Sequence, residues 1–413
     1  MKIKLYYNDY PGQRINDKKI TDNTNKIYLL DRTWERGSFT SFHHVLNTLG
    51  IEYEWSNIKE ESVIILDIGS LAIESNLEVI ENTLQKYLQE FKKVILFTSQ
   101  EPVLIKDINY LLDKYDNLFI MDVRYSENSF HERYIPFPFL ITRLMNNFLD
   151  VTELTPNIQL TNYDEKIHDF NNLKYRWTPD KFATQFYINE YNFDNNIVTY
   201  QRPTHLTLDG SYAEKLELKT QVYDFFDYND TPIKKRSLNF IYDFLDRHPT
   251  VGLTPDKPFN IRYRYHPTYV YDECYYSLIT ENLNFEINDN TVSVEDVEQN
   301  FYISEKTLYP IMQGHPFKVL GNPGMNYMLE HLGFRLYDEI LDYDYDFVFY
   351  PVERLKQGVK SCESFDRGLY QTHIKDIINK VLHNQKLIMN VNSPLWEKLR
   401  QTMLRNIQKY YEL

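Results

Sequence analysis

The first 125 residues alternate short apolar runs with amphipathic stretches. KIYLLD (26–31), SVIILDIG (62–69), KVILFT (93–98) and NLFIMDV (117–123) read as strands. Between them, FTSFHHVLNTLG (39–50), NLEVIENTLQKYLQEF (76–91) and VLIKDINYLLDKY (103–115) repeat their apolar positions at helical spacing. Strands this apolar are buried on both faces, so the pattern predicts a parallel sheet covered by helices, a Rossmann-like half. The G-x-G-x-x-G fingerprint is missing from it, which leaves a dinucleotide-dependent oxidoreductase without support.

From about 136 to 170 the pattern turns irregular: PFPF, a helical ITRLMNNFLDV, then a polar stretch, as expected of a connection. YRWTPDKFATQFYINEYNFDNNIVTYQRP then predicts a capped helix and a strand ending at Tyr200. ECYYSLITENLNF reads as a strong strand presenting Thr280 and Glu281 at its end. FKVLG (317–321) is the next strand, followed by an Asn322-Pro323-Gly324 turn and a run of helices from MNYMLEHLG to the C-terminus. The expected divisions are 1–145, a connection over 146–170, a second α/β domain over 171–390, and a terminal helix over 391–413.

Composition narrows the classes. A chain of 413 residues with 42% hydrophobic and 15% aromatic content has ample core for two domains. A net charge of −14 argues against a broad nucleic-acid surface, though a local basic cleft stays open. The one compact basic run, Lys234-Lys235-Arg236, reads as a solvated helix start. No apolar run reaches the ~20 residues that cross a bilayer, and the N-terminal residues have no signal-peptide core, so a soluble, cytoplasmic protein is expected. Two cysteines, Cys274 and Cys362, suit buried thiols rather than a disulfide framework or zinc site.

The segment from Phe301 to Asp346 carries the densest chemistry. Ser304 is suited to cap a helix whose first turn holds Glu305 and Lys306. A lysine beside a helix N-terminus favours phosphate oxygens and a glutamate suits sugar hydroxyls, so the pairing suggests a nucleotide or nucleotide-sugar. An ordinary capped helix with solvated charges has the same spacing. Ligands sit beyond the carboxyl ends of parallel strands, where Glu281 and Glu305 would face one crevice; otherwise Glu281 is a solvated loop acid. The string DYDYD (342–346) has the letters of D-x-D but follows a helix rather than a strand, so metal dependence has little support and none is expected.

YISEKTLYPI resembles the Y-V-T-E-K-L signature of the α-1,3-fucosyltransferases. The continuation, with PFKVLGNPG and LGFRLYDEILDYDYD, resembles a group of viral and phage glycosyltransferase-like proteins. The likeness is good over 274–350, weaker from 170 to 273 and faint upstream. It implies two Rossmann-like domains facing a cleft (GT-B type), a terminal helix crossing back to the first half, and sugar-nucleotide contacts from Tyr302, Glu305 and Lys306. An arginine opening the second domain would meet the diphosphate; the sequence offers Arg176 and Lys181, with Arg202 after the strand and Arg236 as a rival. The family's proposed catalytic glutamate lies in Y-T-G-E-N after a strand; Glu101 in FTSQEP is the nearest match, although G-E-N itself is absent. Asp67, at the end of SVIILD, and the His43/His44 pair are the other candidates for the base.

The implied activity is transfer of a sugar, with inversion and without metal or cofactor, from a nucleotide-sugar to an acceptor glycan or modified nucleobase. No membrane partner is expected. The setting is the cytoplasm, or the host cytoplasm for a viral protein. Two other readings are a phage DNA-base glycosyltransferase and a non-catalytic virion or binding protein that keeps the fold.

Overall fold

The structure, a computed structural model, describes residues 3–6, 28–29, 53–56, 63–67, 73–91, 93–98, 105–126, 131–136, 166–173, 179–193, 196–199, 269–281, 301–390 and 392–412. Two sheets organise the chain. The first holds β1 (Ile3–Tyr6), β2 (Tyr28–Leu29), β3 (Tyr53–Ser56), β4 (Val63–Asp67), β5 (Lys93–Thr98), β6 (Leu118–Asp122) and β7 (Tyr134–Pro136), in the order β3-β1-β4-β5-β6-β7 with β2 beside β4. All its pairings are parallel except β2 with β4. KIYLLD, expected as a parallel strand, thus contributes a two-residue antiparallel one.

Alternation along β5 sorts its side chains to two faces. Val94 and Leu96 join Ile80 and Leu84 of α1 (Ile73–Glu90) and Ile108, Leu111 and Leu112 of α2 (Ile105–Lys114). Ile95 and Phe97 enter a larger cluster on the opposite face. The predicted helix over 39–50 and the one beginning at Ile141 lie outside the described residues.

The second sheet is wholly parallel, in the order β11-β10-β8-β9, from β8 (His168–Leu173), β9 (Ile197–Thr199), β10 (Cys274–Thr280) and β11 (Phe317–Leu320). β8 begins inside the stretch expected as connection. Its sequence, HDFNNL, has no apolar run, and its buried Asn172 is held through the amide nitrogen, Nδ2 donating to Leu278 O and to Thr280 Oγ1.

α3 (Pro179–Glu190) follows β8 and packs on α7 (Pro351–Lys360). α4 (Tyr269–Asp272) leads into β10, and α5 (Glu305–Met312) comes after that strand; α5 packs on α9 (Ile374–Met389), which follows the short α8 (Arg367–Thr372). The strand order reverses between β8 and β10, which makes that junction the sheet's topological switch point. In the first sheet the reversal falls between β1 and β4. Both sheets are compatible with Rossmann-like folds.

The large apolar cluster is continuous across both sheets. It runs from Ile95, Phe97 and Met121 through Tyr125 and Phe301 to Leu278, Val319 and the C-terminal helices. α10 (Pro394–Glu412) buries Leu395, Trp396, Leu399 and Met403 in that cluster, packs on α9 and β7, and its Asn406 Nδ2 donates to Pro136 O at 2.9 Å. Each such apolar side chain contributes ~1.5–3 kcal/mol on burial. Cys274 and Cys362 are buried free thiols, and burial pushes both thiol pKa values up.

Candidate functional site

At the carboxyl end of β10 the ladder continues one residue further, Glu281 N donating to Leu320 O at 2.9 Å. Glu281 is 1% exposed, not a solvated loop acid. Its Oε1 accepts from Ser304 N at 3.0 Å and from Thr307 Oγ1 at 2.6 Å, and its Oε2 accepts from Ser304 Oγ at 2.6 Å. Lys306 Nζ lies 3.6 Å from the same Oε2, with its side chain 10% exposed. Ser304 caps α5 in extended backbone conformation, its Oγ accepting from Lys306 N at 3.2 Å. A carboxylate from the preceding strand therefore occupies the positive end of α5, where the dipole stabilises it, and draws the lysine ammonium to the switch point of the sheet.

Tyr302 is buried in the segment that abuts the first sheet, where Tyr125 N donates to Phe301 O at 3.1 Å and the Tyr125 and Phe301 rings meet edge-on at 6.3 Å. Glu305 opens α5. Its side chain lies outside the described residues.

The turn after β11 stands beside this cluster. A Cβ on Gly321 would lie 3.6 Å from Glu281 Cβ and 3.0 Å from Met325 Cγ. Gly324 takes φ +70°, a conformation that costs glycine little, and precedes α6 (Met325–His331). The start of α6 is closed by Asp346, from the 3₁₀ turn Asp344–Phe347: Oδ1 accepts from Asn326 N at 3.1 Å and Oδ2 from Tyr327 N at 2.9 Å. Burial raises the Asp346 pKa, and the amide donors oppose the rise. The last aspartate of DYDYD is thus committed to the fold.

Arg354 of α7 ties the two loops together. Its Nε donates to Gly321 O at 2.8 Å, and its Nη1 donates to Val348 O at 2.6 Å and Phe349 O at 3.0 Å, while Nη2 has no partner. Burial lowers its pKa to about 10, opposed by Asp346. Sequence reading missed this arginine, yet it precedes Gly358 by four positions and so shares the helix face that packs on β11.

The first sheet presents a second acidic strand end. Asp122 closes β6 and is fully buried; its Oδ1 accepts from Arg124 N at 3.0 Å, and its Oδ2 from Thr98 Oγ1 at 3.2 Å and Arg124 Nη1 at 3.3 Å. Burial acts to lower the Arg124 pKa, but the Asp122 carboxylate and Tyr134 more than offset it and leave it raised. The signal was legible: FIMD ends an apolar strand on an acid, the feature that singled out Asp67. Asp67 ends β4 with its backbone paired to Phe97 and Tyr28. Lys181 is buried within α3. Glu101, Arg176, Arg202, Arg236, His43 and His44 lie outside the described residues, as does the Asp67 side chain.

At the amino edge of the second sheet, away from this crevice, Lys166 Nζ donates to the carbonyls of Asp272 at 3.1 Å and Cys274 at 2.8 Å, and burial lowers its pKa to about 8. His315 bridges Ser277 Oγ and Cys274 O there. Among the described residues no group of three or more His, Cys, Asp or Glu is arranged to hold a metal, and no helix is long and apolar enough to cross a membrane.

No family model, curated protein or solved structure matches the chain. Its site is characterised by its own residues: a lysine on the first turn of α5, held by a buried glutamate at the switch point of a parallel sheet.

Proposed function

We propose that this chain is a glycosyltransferase of GT-B type, moving a sugar from a nucleotide-sugar to an acceptor hydroxyl, with inversion and without a catalytic metal. The cleft lies between a half built on the first sheet and a half built on the second. The observation that carries the reading is Lys306, drawn by Glu281 to the N-terminus of α5 at the place where doubly wound sheets take their ligands. The resemblance of the surrounding YISEKT supports it.

In this reaction the acceptor oxygen attacks the anomeric carbon as the bond to the diphosphate breaks. Negative charge grows on the leaving phosphate, and the Lys306 ammonium meets it. Because Lys306 is already paired with Glu281, the pair alone is neutral, and binding a diphosphate takes a further cation, assigned to Arg176 or Arg236. Tyr302 and Glu305 flank the donor. The acceptor proton passes to a carboxylate of the N-terminal half, Glu101 or Asp67. Metal independence fits the commitment of Asp346 to capping α6.

The test is release of nucleoside diphosphate from a panel of nucleotide-sugars, with and without EDTA. The expected result is turnover of at least one donor, unchanged by EDTA and reduced about 100-fold or more in Lys306→Ala, the scale seen when one charge-stabilising donor is removed. Absence of turnover with every donor and with both glycan and nucleobase acceptors contradicts the transferase reading.

A further inference from the structure

Four aromatic side chains are exposed among the described residues, and three of them, Tyr327 (39%), Phe347 (46%) and Tyr350 (38%), stand at the carboxyl edge of the second sheet. The topology places them there. Tyr327 lies in the first turn of α6, which starts just beyond the end of β11. Phe347 ends the 3₁₀ turn that closes α6, and Tyr350 caps α7, whose Arg354 reaches Gly321 O. The Tyr327 and Phe347 ring centroids are 5.6 Å apart with the planes inclined by 60°.

We infer that Tyr327 and Phe347 form the stacking platform for the nucleobase of the donor, an inference that rests on the nucleotide-sugar reading above. One carboxylate fixes both residues: Asp346 Oδ2 accepts from Tyr327 N, and Phe347 is the next residue after Asp346. Asn326 and Tyr345, on either side, are buried, with Tyr345 OH donating to Val319 O at 2.6 Å and Asn326 Nδ2 donating to the same carbonyl at 2.9 Å. Arg354 pins Val348 and Phe349 directly after Phe347. The rings are therefore exposed on backbone that is already immobile, so stacking on them orders little.

A pair of rings is far smaller than the roughly 1,000 Å² expected of a protein interface, and with planes inclined by 60° it forms a corner in which one planar ring system stacks on one ring and meets the other at its edge. The base is the occupant, rather than the sugar, because of where Lys306 sits between neighbours. On one side the segment carrying Ser304 abuts the first sheet through Phe301 and Tyr125. On the other, Gly321 stands against Glu281 and leads through the turn to Tyr327. A donor with its diphosphate at Lys306 and its sugar directed toward the first sheet, on the Phe301–Tyr125 side, extends its nucleoside toward β11 and these two rings.

The experiment compares binding of GDP, UDP, ADP, inorganic pyrophosphate and the matching nucleotide-sugar to the wild-type protein and to Tyr327→Ala, Phe347→Ala and Phe347→Tyr. Base stacking on one ring predicts that each alanine variant loses about 5- to 150-fold in affinity for the preferred nucleoside diphosphate. Pyrophosphate affinity stays unchanged, and Phe347→Tyr keeps wild-type affinity. Equal nucleoside diphosphate affinity in wild type and both alanine variants overturns the platform while leaving the Lys306 site standing. A loss confined to the nucleotide-sugar assigns the rings to the sugar and also overturns it. No binding of any of these ligands by the wild type removes the platform and the donor site together.

Discussion

At the scale of single residues, three buried charges among the described residues meet a partner or a carbonyl. Glu281 receives three donors and an ammonium, Asp122 receives a backbone amide, a hydroxyl and a guanidinium, and Lys166 is held by carbonyls. His315 is the informative case for pH. It is fully buried, and burial, aided by Lys166, pushes its pKa down to about 3. The folded protein keeps this ring neutral, whereas the unfolded chain protonates it below pH about 6.5. The unfolded state thus binds more protons in that window, and stability falls as pH drops from about 6.5 toward 3. The slope from this group is ~1.4 kcal/mol per pH unit. His315→Gln can still serve Ser277 and Cys274 but cannot titrate, so urea unfolding of this variant should show a shallower acid loss than wild type. Identical slopes in the two proteins contradict the assignment.

At the scale of elements, the contact of α7 with β11 is the tightest seam near the site. A Cβ on Gly358 would come within 2.4 Å of Leu320 Cδ2 and 3.0 Å of Tyr345 Cδ2. Gly358→Ala should therefore destabilise the protein by ~1–3 kcal/mol in denaturant unfolding, as overpacking does. Stability equal to wild type shows that the helix sits further from the strand. Elements were legible in the sequence where burial on both faces writes an unbroken apolar run: KVILFT, SVIILD and FKVLG are all strands. They were illegible where another physics held them. HDFNNL is a central strand whose Asn172 amide nitrogen finds partners inside the sheet, and YIP is a three-residue edge strand ending in proline. β1 and β3, each four residues, are too short to establish a period. The candidate site was legible in its local part, Ser304 capping α5 beside Lys306. The clamp of Ser304 and Thr307 on Glu281, 23 and 26 residues away, and the loop tie made by Arg354, depend on tertiary contact that no spacing encodes.

At the scale of the molecule, a first sheet that is parallel except at β2 and a wholly parallel second sheet share one apolar cluster, and α10 packs on β7 of the first. Phe301, five residues before Lys306, meets Tyr125 beyond β6, and the proposed transfer places its donor beside this contact. The central claim is that Lys306 binds the diphosphate of a nucleotide-sugar. Calorimetric titration of nucleoside diphosphates into wild type and Lys306→Ala tests it most directly, with thermal unfolding of both proteins as a check on the fold. A ligand at 100 times its dissociation constant should stabilise the wild type by ~2.7 kcal/mol. The account predicts saturable binding of at least one nucleoside diphosphate to wild type and none to an equally folded Lys306→Ala protein; unchanged affinity in that variant would contradict it.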